Sequence, residues 1–213
     1  MNFRVTEIRQ GVKNPNRVNI FLDGKFSFSL DIAQVVDLKI KIGKEISEEE
    51  LSELKRESEF GKLYQRVLEK ALTRPHSEKE IRDYLYRKLK MSSSDTRENN
   101  TELINRIVER LRAKNYIDDL KFAEYYVQNR FVKKGISQRR LSMELMKKGV
   151  RKEIINEVLG GRNDEEEILK IIKKKRAKYT DEKLISYLVR QGFSFELARE
   201  LVSSFETGSR NSE

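Results

Sequence analysis

The chain has no cysteine and no tryptophan, a single histidine and two prolines in 213 residues. The missing cysteines exclude disulfides, thiolate metal sites and cysteine nucleophiles. No apolar run is long enough to span a membrane, and no apolar signal segment opens the chain. Together these features fit the cytoplasm. Ile42-Gly43-Lys44 is followed by Glu45 and lacks the upstream glycine of a phosphate loop. His76 stands just before a helix start, without a readable catalytic set around it. No enzyme, cofactor or metal is expected.

What is abundant is charge. Charged residues make up 38% of the chain and hydrophobic residues 37%, so the core must be divided into narrow stripes. The net charge is +10 and unevenly placed. Lys121–Arg190 holds 19 basic and 10 acidic residues, a local +9, whereas Glu45–Glu59 holds seven acids against Lys55 and Arg56. Such asymmetry suggests a polyanionic partner for the C-terminal two thirds, although for any one cluster a solvated helical surface is the simpler reading.

The stripes repeat. Hydroxyl residues stand at Ser77, Ser137 and Thr180, and four and eight residues later come Ile81 and Leu85, Leu141 and Leu145, Leu184 and Leu188. Gly149 and Gly192 follow in the second and third copies, then Val150, Ile154, Ile155 and Val158, and Phe193, Leu197, Ala198 and Leu201. The first copy fits this tail with Leu103, Ile107, Val108 and Leu111, after a polar insertion at 91–101. One supersecondary unit used three times implies stacked repeats and a long binding surface.

The spacing predicts a mainly α fold of three tandem three-helix repeats forming an elongated array, with a small N-terminal β-hairpin or three-stranded element. Arg17–Leu22 and Lys25–Leu30 flank Asp23-Gly24, a strong hairpin signal, and Phe3–Ile8 can add a third strand. The boundaries are a hairpin element at 1–45, an acidic linker helix at 46–60, repeats at 61–117, 118–160 and 161–206, and a disordered tail at 207–213. Repeat one is expected to hold helices near 61–73, 77–89 and 102–114, with a break near Gly61 and a flexible loop at 91–100. Ser47 with Glu50, and Ser77 with Glu80, have the spacing of capping boxes. Asp118 reads as an N-cap, with Ile117 and Phe122 as its hydrophobic staple, in preference to a metal or acid–base pair with Asp119.

Candidate partner residues are basic. On the helix beginning at Ser137, Arg139, Arg140 and Lys147 lie within about 100° of one another, opposite Leu141 and Leu145, with Met143 and Met146 on the same side. Lys133, Lys134, Lys148 and Arg151 flank that helix, and Lys173, Lys174 and Arg176 form the corresponding run in repeat three.

The run Arg74-Pro-His-Ser77-Glu-Lys-Glu80-Ile81…Leu85, then Ile107…Leu111…Tyr116-Ile-Asp-Asp119…Phe122-Ala123, then Lys134-Gly135…Leu141…Leu145…Lys148-Gly149-Val150, resembles the RecX family of bacterial regulators of the RecA recombinase. The resemblance covers about 60–206, and the hairpin resembles the N-terminal extension of longer members. The insertion at 91–101 and the dense lysine run before Thr180 depart from it. The resemblance implies three-helix-repeat modules that bind along the groove of the RecA–DNA filament, damp its ATPase and strand exchange, and in some members bind DNA directly. A RecA filament is thus the expected partner, single- and double-stranded DNA possible ones, and the protein a monomer away from membranes. The competing readings are a direct nucleic-acid binder with helix-turn-helix-like repeats and a helical protein–protein scaffold.

Overall fold

A computed structural model describes residues 2–12, 14–90 and 97–209, with residues 90, 97, 131–134 and 206–209 described by backbone alone. It divides into two compact units, residues 1–74 with 82–116, and residues 75–81 with 117–213.

The first unit opens with a four-stranded antiparallel sheet of order β3-β2-β1-β4, built from β1 (Asn2–Gln10), β2 (Arg17–Leu22), β3 (Lys25–Asp31) and β4 (Glu45–Ser47). Asp23 and Gly24 both take positive φ, +48° and +78°, as a two-residue hairpin turn between right-twisted strands requires. The sequence reading anticipated three strands. The fourth, β4, and the short helix α1 (Ile32–Asp37) were not anticipated, since three and six residues leave little periodicity to read. Asp31 caps α1 in a complete capping box with Gln34.

Helix α2 (Glu48–Ala71) runs unbroken through Gly61. A Cβ at Gly61 would lie 2.6 Å from Gln34 Oε1 and 3.1 Å from an Arg17 guanidinium nitrogen, so this glycine admits neighbours and does not break the helix. Ser47 accepts the Glu50 N–H at 3.2 Å, one half of the expected capping box, while the Glu50 carboxylate pairs with Lys44 at 2.7 Å.

Residues 46–60 are no linker. Leu51 and Leu54 join Val5, Ile20, Leu22, Phe28, Leu30 and Ile46 in one core beneath the sheet. Arg17 is buried and ties both layers, donating to the Ser29 carbonyl and hydroxyl and to the Ser58 carbonyl. Burial lowers its pKa, and Asp31 opposes the shift. Removal of residues 1–45 strips the cover from Leu51 and Leu54. It is therefore expected to fray α2 up to about Ser58, read as fast amide exchange there, while 137–159 keep their protection. Equal protection of α2 in the truncated and full chains would show a helix that needs no sheet.

Helices α3 (Glu78–Lys90) and α4 (Arg97–Ala113) complete repeat one. Part of the expected loop, 91–96, lies outside the described residues. Residues 97–101 are helical although Asn and Thr are weak helix formers, because the helix buries Ile104, Ile107, Val108 and Leu111 at 0% exposure. In the second unit, repeat two is α5 (Asp119–Lys134), α6 (Gln138–Lys147) and α7 (Lys152–Leu159). Repeat three is α8 (Asp164–Lys175), a short 3-10 turn, α9 (Asp181–Arg190) and α10 (Phe195–Ser209). Of the tail expected from 207, residues 207–209 continue α10, and residues 210–213 lie outside the described residues. Each repeat has its own apolar cluster, Phe122, Leu141, Leu145 and Ile155 in one, and Ile168, Ile172, Leu184 and Leu188 in the other.

Candidate interaction surface and repeat junctions

The anticipated hydroxyls and glycines meet at seams between successive repeats. Helices α6 and α9 both end in a Schellman turn, with Gly149 at φ +82° and Gly192 at φ +94°. The Val150 N–H reaches Leu145 O at 3.1 Å, and the Phe193 N–H reaches Leu188 O at 3.3 Å, closing the turns in the same register. These turns present the carbonyls of Lys148 and Gln191 to the preceding repeat. The Ser77 hydroxyl donates to Lys148 O at 2.7 Å, and the Ser137 N–H donates to Gln191 O at 3.2 Å.

The seam has a second component. The first N–H of α3, from Glu78, donates to Asp119 Oδ1 at 2.9 Å, and the first N–H of α6, from Gln138, donates to Asp164 Oδ1 at 2.8 Å. Each of these N–H groups would otherwise lack an intrahelical partner, and each finds an acid at the start of the next repeat. The Asp118-Asp119 pair is thereby divided. Asp118 caps its own helix, accepting from Leu120 and Lys121, with Ile117 and Phe122 both buried as the staple requires. Asp119 serves the preceding repeat. Sequence reasoning missed this role, although the signal was present as an aspartate opening both α5 and α8. Ser77 and Ser137 are fully buried in these seams, whereas Thr180 is exposed and forms no side-chain cap bond.

The basic candidates separate accordingly. Arg139, Lys147 and Arg151 are exposed, as are Lys173 and Lys174. The side chains of Lys133 and Lys134 lie outside the described residues. Arg140, Lys148 and Arg176 are engaged within the fold. Lys148 Nζ pairs with Glu80 at 2.8 Å across the first seam, and Arg176 pairs with Asp181 at 2.6 Å. Arg140 donates to the Arg190 carbonyl and to Glu144, and its Cβ lies against Gly192. Helical angles had placed Arg140 with Arg139 and Lys147 on one outward face. The angle holds within repeat two, but the end of α9 closes over that edge. Met143 and Met146 remain half exposed.

Glu144 is the centre of repeat two's polar network. Arg130 grips it bidentately at 2.9 Å, Tyr126 donates to it at 2.8 Å and Arg140 at 3.3 Å. The Arg130 bonds hold its carboxyl down at about 2. Partial burial, reinforced by the bond to Glu144, pushes the Tyr126 phenol up to about 12.

In the first unit, α1, α2 and α4 border a groove of about 830 Å³. Phe60 and Tyr64 stack on its wall at 5.8 Å, with the Arg106 guanidinium 4.3 Å from the Phe60 ring and that of Arg110 5.0 Å from Tyr64. Arg106 also forms a two-pronged ion pair with Glu57. These contacts tie α2 to α4. The pairs Phe60/Tyr64 and Arg106/Arg110 have i,i+4 spacing, readable in hindsight as two matching faces.

Comparison with known proteins places these features in a family. Residues 3–47 match the regulatory protein RecX N-terminal domain, and residues 118–159 match the second three-helix domain of RecX. Regulatory protein RecX of Listeria monocytogenes is 32% identical over 206 residues, covering 92% of this chain and 73% of that protein. The chain belongs to the RecX family. A RecX relative from Bacillus licheniformis is also 32% identical, across 91% of this chain and 74% of its own length. In fold, the chain is similar to a crystal structure of regulatory protein RecX, with TM-score 0.69 at 22% identity, over 95% of this chain and 99% of that one. It is also similar to RecX from Lactobacillus salivarius, with TM-score 0.51 at 20% identity, over 70% and 97% of the two chains. Among the described residues, no helix is long and apolar enough to cross a membrane.

Proposed function

We propose that this RecX-family chain is a non-enzymatic, cytoplasmic regulator that binds the RecA–DNA filament as a monomer and lowers its ATPase and strand-exchange activity. The observation that carries the reading is family membership across nearly the whole chain, sheet and repeats alike. The exposed cations Arg139, Lys147, Arg151, Lys173 and Lys174 are compatible with an acidic partner. A pull-down with RecA separates this reading from its rivals. Capture is expected with RecA assembled on single-stranded DNA in the presence of a slowly hydrolysed ATP analogue, and not with unassembled RecA. DNA-dependent ATP turnover by RecA should fall, and the chain alone should hydrolyse none. Capture by DNA with no added contribution from RecA would favour a direct nucleic-acid binder, the reading that the local +9 of Lys121–Arg190 recommends. ATP hydrolysis by the purified chain, abolished by a substitution in it, would overturn the non-enzymatic reading.

A further inference from the structure

Aligning the three repeats on Ser77, Ser137 and Thr180 brings one surface feature into register. Nine residues after each hydroxyl stands a large apolar side chain, and the next residue is a cation: Tyr86-Arg87, Met146-Lys147 and Val189-Arg190. The alternation of stripe and surface leaves these positions outside the core. Tyr86 is 42% exposed, Met146 50% and Val189 41%, and all three cations are exposed. Neighbouring Leu85, Leu145 and Leu188 are fully buried, so the core of each repeat is already supplied one position earlier.

Single exposed apolar residues scattered over a surface need no explanation. One at the same register of every repeat is not scatter. A cation in the last turn of a helix is expected from the helix dipole, which accounts for Lys147 and Arg190. The dipole gives no reason for an apolar neighbour in water.

We propose that these three apolar–cationic pairs are the points at which each repeat touches its partner, and that the partner surface repeats an apolar patch beside a carboxylate. This rests on the filament reading above, since a filament of identical subunits offers such a site at regular intervals. The chemistry separates protein from nucleic acid. Phosphate contacts need cations but no aliphatic side chain, and base stacking needs aromatic rings, which Met146 and Val189 lack. An aliphatic or aromatic anchor beside a cation suits a protein surface, where the anchor loses water and the cation sets register.

The test uses the full chain with Tyr86→Ser, Met146→Ser and Val189→Ser, singly and combined. A second series carries Arg87→Glu, Lys147→Glu and Arg190→Glu. Affinity is measured for RecA assembled on single-stranded DNA with the slowly hydrolysed analogue, and separately for that DNA alone, with circular dichroism to verify the fold. Each serine substitution is expected to weaken filament binding about tenfold, and the triple variant more than about a hundredfold, because the contacts act in separate repeats. Affinity for bare DNA should stay within about twofold in the serine series. The glutamate series should also lose filament binding, with a flatter salt dependence. Failure of the unaltered chain to bind the filament would overturn the proposed function and this surface with it. Binding by the unaltered chain and the serine triple variant alike would overturn the surface alone. Equal loss on filament and bare DNA in the serine series would mark a nucleic-acid surface and overturn the protein-contact assignment.

Discussion

Replacing Gly192 by alanine is expected to cost the second unit about 2–5 kcal/mol. Two independent penalties meet at this residue. Its φ of +94° lies outside the range that side-chain-bearing residues readily adopt, worth about 1–2 kcal/mol. A Cβ there would also lie 2.5 Å from the Ser137 hydroxyl and 2.9 Å from Arg140 Cβ, so the seam must open to admit it. Forcing such overlap costs about 1–3 kcal/mol. Gly149→Ala should behave similarly, since its Cβ would meet Lys79 Cβ at 2.7 Å at φ +82°. Gly161 supplies the control, with nothing within 4 Å of its added Cβ and an unstrained φ. Gly161→Ala should therefore shift stability by no more than about 0.5 kcal/mol. Urea unfolding monitored at 222 nm measures all three. Equal midpoints for Gly192→Ala and Gly161→Ala would show that the seam carries no close packing.

The second large effect concerns Glu144. Glu144→Gln removes the charge that Arg130 and Arg140 share and weakens the acceptor for the Tyr126 hydroxyl. Charge-assisted bonds contribute about 1.5–3 kcal/mol each, and they act here as one network. With a fifth of the Glu144 side chain (20%) still exposed, solvent screening holds the expected total to about 2–3 kcal/mol. The pH dependence has a definite sign. The folded carboxyl sits at about 2 against an ordinary 4.5, so it stabilises fully above the ordinary value and loses that contribution as pH falls toward 2. The gap in urea midpoint between wild type and Glu144→Gln should accordingly narrow between about pH 5 and pH 2. A gap that stays constant over that range would mean that packing, not charge, is what the substitution disturbs.

Periodic features were legible before the structure, and features fixed by contacts between distant segments were not. The apolar stripes of the three repeats, the Ser47 and Ser77 caps, the Asp118 staple and the Asp23-Gly24 turn all follow from local spacing. Gly61 was misread for a physical reason. Glycine in a helix destabilises it and suggests a break, but here the missing side chain makes room for Gln34 and Arg17, which arrive from the sheet. The internal bonds of Arg140 were unreadable for a similar reason, because helix geometry gives the direction of a side chain but not what another repeat brings to meet it. The acidic stretch from Glu45 to Glu59 looked like a linker by composition. Its Leu51 and Leu54 were too few to announce the sheet core that they complete.

The seam is also a rule of inheritance. At Ser77 and Ser137 the earlier repeat offers a serine and the first N–H of the following helix, and the next repeat receives them with a glycine-turned carbonyl and an aspartate. The two halves of a seam come from different repeats but share one register, so a genetic cut at the hydroxyl positions exchanges like for like. Excision of 137–179 would leave Asp119 facing the Glu78 N–H and would bring Gln191 and Gly192 to the place that Lys148 and Gly149 hold beside Ser77. A cut elsewhere would strand an acid or a carbonyl without its counterpart. Such an array can lose a whole repeat and still present an aspartate and a glycine-turned carbonyl to the helix that begins after Ser77.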